Sequence, residues 1–98
     1  MTINETINWF ISQYNNAKGF LDIPSFYYCG ITDNLERRAG EHNVSKYTAT
    51  ATCDSFETAC KIEEGLHNAG FDTGKQLGNG TEDSIYVYMY RKSQYTKE

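Results

Sequence analysis

An α+β domain with a three-stranded sheet covered by helices is what this chain predicts, and three observations carry that expectation. Capping-box patterns open two stretches of helical periodicity, one at Thr2-Ile3-Asn4-Glu5 and one at Asp54-Ser55-Phe56-Glu57. Ser84 to Tyr90 alternates strictly, with Ile85, Val87 and Met89 on one face and Tyr86, Tyr88 and Tyr90 on the other. Ninety-eight residues allow only one domain, 1–98.

The elements follow in order. Ile3, Ile7, Phe10, Ile11 and Tyr14 recur at helical spacing and Lys18-Gly19 is a natural stop, so a helix is expected over 3–17. Phe26 to Ile31 is an aromatic and apolar run of strand length after Pro24 and Ser25. A second helix is expected from Asp33 to about His42, with Thr32 as N-cap. Tyr47 to Cys53 alternates polar and small apolar residues, as a strand with one dry face does. The helix opened at Asp54 runs to Ala69, with Gly70 just past its end. Residues 71 to 83 hold Gly74, Gly78 and Gly80 among polar neighbours and read as a loop or loose hairpin. The last strand completes an α-β-α-β-α-β order, with the sheet and two helices within 26–90.

Composition closes off several functions. Hydrophobic residues at 39% and charged residues at 22% fit an ordinary globular chain and exclude collagen, a low-complexity tail and a long coiled coil. No apolar run is long enough to cross a bilayer, and Met1 to Glu5 lacks the basic and apolar regions of a secretory signal. A cytoplasmic protein without a membrane partner is expected. Thirteen acidic against nine basic residues give a net charge of -4, the wrong sign for non-specific attraction to phosphate. Eight tyrosines suit a half-wet sheet face or a site better than a plain core. Cys29, Cys53 and Cys60 lack zinc spacing and are expected as reduced thiols.

Two polar placements stand out. On the third helix, Phe56, Ala59, Ile62, Leu66 and Ala69 form an apolar stripe that includes Glu63. A carboxylate there needs a partner, a cation or a proton; the alternative is a rim residue that curls out to water or pairs with an Arg. On the second helix, Leu35 and Ala39 define the inward face, Arg38 and His42 flank it one turn apart, and Arg37 points away. Arg38, His42, Glu63 and the tyrosines together supply the parts of phosphate chemistry: a cation for developing negative charge, a metal-holding carboxylate, and groups that move a proton.

The run Tyr28-Cys29-Gly30-Ile31-Thr32-Asp33-Asn34-Leu35-Glu36-Arg37-Arg38-Ala39-Gly40-Glu41-His42-Asn43 resembles the second half of the GIY-YIG endonuclease signature. Ala59 and Glu63 match the spacing of that family's downstream helix, and the likeness covers about residues 26–70. The resemblance implies a three-stranded antiparallel sheet flanked by helices and cleavage of phosphodiesters with one Mg²⁺ or Mn²⁺ ion. It makes Tyr28 the tyrosine of the second triplet, Arg38 the contact to the scissile phosphate, His42 an auxiliary proton-transfer or phosphate-contact group and Glu63 the metal ligand. Nucleic acid, DNA before RNA, becomes the expected partner.

The first triplet of that signature is missing upstream of Tyr28, where the extra N-terminal helix lies instead. Ser84-Ile85-Tyr86 reads like it, with Ser for Gly. The last strand is therefore expected beside residues 26–31, in circularly permuted order, with Tyr86 as the second site tyrosine. Asn79 is a further candidate site residue, although Asn-Gly is equally a turn dipeptide. The alternative function is a catalytically impaired member of the same fold that binds nucleic acid or a protein partner, since the basic residues are scattered among carboxylates.

Overall fold

The computed structural model describes residues 1–98. Three α-helices, α1 (Ile3–Ala17), α2 (Leu35–His42) and α3 (Phe56–Asn68), alternate with strands β1 (Tyr27–Thr32), β2 (Ala49–Thr52) and β3 (Tyr86–Arg91). The class is α+β with a three-stranded antiparallel sheet in the order β1-β3-β2. No helix is long and apolar enough to cross a membrane.

The capping box at Thr2 and Glu5 forms as the sequence predicts and opens α1. The other two caps each fall one or two residues later than expected. Thr32 is the last residue of β1, opposite Tyr86, and the chain needs two more residues to turn out of the strand before Leu35 takes up helical geometry. Asn34 caps α2 instead, its side chain accepting from the Arg37 N–H, while the Thr32 hydroxyl braces Asn34. For α3 the cap is Ser55, which accepts from the Thr58 N–H, rather than Asp54.

The period of two in β3 sorts the molecule into layers. Val87 and Met89 join Tyr27, Cys29, Ile31 and Ala49 on the face packed by Phe10 of α1 and by Ala59, Ile62 and Leu66 of α3. Tyr88 and Tyr90 join Tyr28 on the opposite face, with Leu35 of α2, Val44 and Tyr47 packed against them. The helices α1 and α3 meet closely because Gly65 has no side chain: a Cβ there would lie 2.2 Å from Ile7 Cδ1.

The outer edge of β1 is partly closed by the segment after α3. Asp72 donates its N–H to the Tyr27 carbonyl and accepts from the Cys29 N–H at 2.8 Å. At the other edge β2 is only four residues long. Beyond β3 the C-terminal strap, residues 93–98, turns back over the end of α2: the Lys97 N–H donates to the His42 carbonyl at 2.7 Å. The three cysteines are free thiols, and burial pushes the Cys29 thiol well above its ordinary pKa.

Candidate active site

A cleft of about 410 Å³ is lined by β1, α2, Glu63 of α3, the 73–84 loop and Tyr88 of β3. Strand pairing builds its floor. β3 lies antiparallel against β1, the neighbour expected for the last strand, in a register that sets Tyr88 directly opposite Gly30. A Cβ at residue 30 would lie 2.4 Å from the Tyr88 hydroxyl, so the glycine creates the space in which the phenol lies across the strand. Tyr88 thus enters the cleft and Tyr86 does not line it. Tyr86 shares the face, but it sits two residue pairs further along, opposite Thr32 and Thr52 at the end of the sheet. The sequence pointed to Tyr86 as the second site tyrosine; of the two, it is Tyr88 that lines the cleft.

His42 is the one buried residue of α2. Its ring centroid lies 5.1, 5.5 and 5.0 Å from those of Tyr28, Tyr88 and Tyr90. Nδ1 is 2.6 Å from the Lys97 carbonyl and Nε2 is 2.8 Å from the Tyr88 hydroxyl. Burial lowers its pKa below the ordinary 6.5, outweighing the Lys97 carbonyl, so the ring is neutral at neutral pH. Burial also raises the Tyr88 phenol well above its usual range, against the pull of Arg38.

Arg38 sits at the mouth. Its Nε–H donates to the Tyr88 hydroxyl at 3.4 Å, and Nη1 donates to Glu41 at 2.9 Å. Arg37 lines the same cleft rather than pointing away from it, and pairs with Asp33 and Glu41. Both cleft arginines are therefore matched by carboxylates.

Glu63 is 4% exposed, with Oε1 accepting the Gly78 N–H at 2.9 Å. It neither pairs with an Arg nor swings out to bulk water. Desolvation raises its pKa above the carboxylate norm, with the Gly78 bond pulling the other way. Tyr28, 7% exposed, lies within electrostatic reach of both ends of the cleft: burial raises its pKa, Arg38 opposes, and Asp72 and Glu63 add to the rise. Asn79 lines the cleft from the exposed loop, between Gly78 and Gly80, both of which hold positive φ. The turn and the cleft position coexist.

Of the residues singled out from sequence, Tyr28, Arg38, Glu63 and Asn79 share the cleft, and His42 stands directly behind it through Tyr88. Sequence reasoning missed Tyr88, Thr73 and Ser84 as cleft residues; the phenol was visible in the alternation, the other two carry no signal of their own. Such a set can hold an anion against a guanidinium, present one carboxylate to a cation, and pass a proton from phenol to imidazole. No group of three or more His, Cys, Asp or Glu side chains gathers at metal-holding spacing. No protein-family model, curated protein or solved structure matches the chain.

Proposed function

We propose that the chain is a small GIY-YIG-type endonuclease that hydrolyses phosphodiester bonds of nucleic acid, DNA before RNA. One observation carries the reading: Tyr28, Arg38, Glu63 and Tyr88, from four different elements, line one cleft. In the attack, a water oxygen bonds to phosphorus and the ester P–O bond breaks. The water proton passes to the Tyr88 oxygen as the phenol gives its own proton to His42 Nε2. The negative charge added to the phosphoryl oxygens falls to Arg38, whose Nη2 takes no part in the Glu41 and Tyr88 bonds.

The donor set suits one hard cation. Mg²⁺ keeps most of its waters and takes one or two carboxylates together with substrate phosphate. Glu63 offers one carboxylate whose Oε1 is held by Gly78, which aims the group without a second acid. When bound, Mg²⁺ or Mn²⁺ supplies Lewis acidity at the phosphoryl and leaving oxygens.

A second reading, a binding or regulatory module of the same fold that has lost turnover, is favoured by charge. Asp33 and Glu41 neutralise the cleft arginines and the chain carries -4 overall, so a protein partner could bring the nucleic acid. Incubation with plasmid and structured RNA, with and without Mg²⁺ or Mn²⁺, tests both. Metal-dependent cutting that disappears in Glu63→Ala supports the nuclease. Binding without cutting supports the module, and full cutting by Glu63→Ala removes the metal role.

A further inference from the structure

We propose that the C-terminal strap is the positioning element of this site: Lys97 and Glu98 together hold His42 in the Nδ1–H tautomer, leaving Nε2 as the atom that takes the Tyr88 proton. A carbonyl oxygen only accepts, so the hydrogen of the 2.6 Å contact between Lys97 and His42 is on Nδ1. A neutral imidazole has one N–H, so Nε2 is bare and the Tyr88 hydroxyl donates to it at 2.8 Å. Arg38 Nε–H approaches the same phenol oxygen. The bonds then run in one direction, from Arg38 through Tyr88 and His42 to the main chain.

Tyr90 is the group that could reverse them. Its hydroxyl lies 3.0 Å from Nδ1, and a hydroxyl can donate as well as accept. A Tyr90 proton given to Nδ1 would place the ring hydrogen on Nε2 and turn the Tyr88 bond around. Glu98 Oε1, 3.0 Å from the Tyr90 hydroxyl, claims that proton. Two adjacent strap residues thus enforce the same tautomer, one by accepting from the ring and one by occupying its competitor.

The strap is held by main-chain bonds rather than by its side chains alone. Lys97 N–H meets the His42 carbonyl, and the Asn43 side-chain Nδ2 donates to the Tyr95 carbonyl at 2.8 Å. The charged and titratable groups around His42 are Arg38 and Glu41 from α2, Tyr28 from β1, Tyr88 and Tyr90 from β3, and Glu98 from the strap. The use of the proton relay rests on the nuclease reading; the tautomer does not.

The experiment is ¹⁵N NMR of histidine-labelled full chain. Wild type is expected to show His42 with hydrogen on Nδ1 and a bare Nε2. Lys97→Ala keeps both main-chain bonds and should match wild type. Lys97→Pro, which lacks the N–H, combined with Glu98→Ala should populate the Nε2–H form and slow cutting at least about tenfold. Glu98→Ala alone changes an exposed side chain outside the helices and strands and should give a partial shift. Hydrogen on Nε2 in wild type, or an unchanged tautomer in Glu98→Ala and the double variant, overturns the proposal. A chain that shows this tautomer but cuts nothing upholds the strap's role and defeats the nuclease reading; one that cuts with hydrogen on Nε2 does the reverse.

Discussion

The two faces of the sheet bury aromatic and apolar groups equally well but to different ends. Under α1 and α3, Cys29, Val87, Met89, Ile62 and Leu66 bring no charge and need no partner, so their value is the area they remove from water. Under α2, Tyr28, Tyr88, Tyr90 and His42 are as deeply placed, yet each carries a polar atom. On that face Tyr88, Tyr90 and His42 answer one another by hydrogen bonds, and no buried side-chain nitrogen or oxygen lacks a partner. The comparison teaches that β3 sends apolar burial to one side and a polar aromatic network to the other with a single alternation.

The contrast can be broken most severely from the apolar side. Phe10→Ala should cost about 3–5 kcal/mol of unfolding free energy, read by denaturant titration, with any surviving fold retaining its tyrosine network. On the proposed nuclease reading, Arg38→Ala should cost about 10²–10³ in cleavage rate. Its melting temperature should stay near that of wild type, because the side chain is at the cleft mouth and its ion pair with Glu41 is surface-exposed. Gly30→Ala joins the two faces: displacing the Tyr88 hydroxyl should cost about 1–3 kcal/mol and cut the rate as well.

Glu63→Gln should stabilise the fold by about 0.5–2 kcal/mol while ending metal-dependent activity, since the amide oxygen still accepts from Gly78 without a buried charge. The sign follows from the raised carboxyl pKa: the unfolded chain ionises first, so stability falls as pH rises from 4.5 through the higher folded value. A loss of stability in that variant would mean Glu63 is a structural anchor. The smallest effect concerns pH and His42. Its folded pKa lies below 6.5, so cutting should survive as pH drops through 6.5 and fail only further down. Folding stability should fall over the same range, because the unfolded histidine takes up its proton first.

Most of the architecture was legible because it rests on periodicity. The α1 capping box, the alternation in β3 and the position of Glu63 inside an apolar stripe are local patterns and were read directly. The helix starts at Asn34 and Ser55 were not, because neighbouring residues that can all cap compete; strand pairing holds Thr32 in β1, while nothing local separates Asp54 from Ser55. Tyr88 over Tyr86 was hidden for a related reason: alternation gives the face, while depth depends on which residue stands opposite, here Gly30 against Thr32. The Lys97 contact spans 55 positions and has no sequence pattern at all.

The shape of the sheet margins has a consequence for behaviour at high concentration. A foreign strand seeking to extend the sheet meets, on one side, backbone groups already claimed by Asp72, and on the other a four-residue strip too brief to anchor it. Growth by strand addition is thereby left only a partial template at either border.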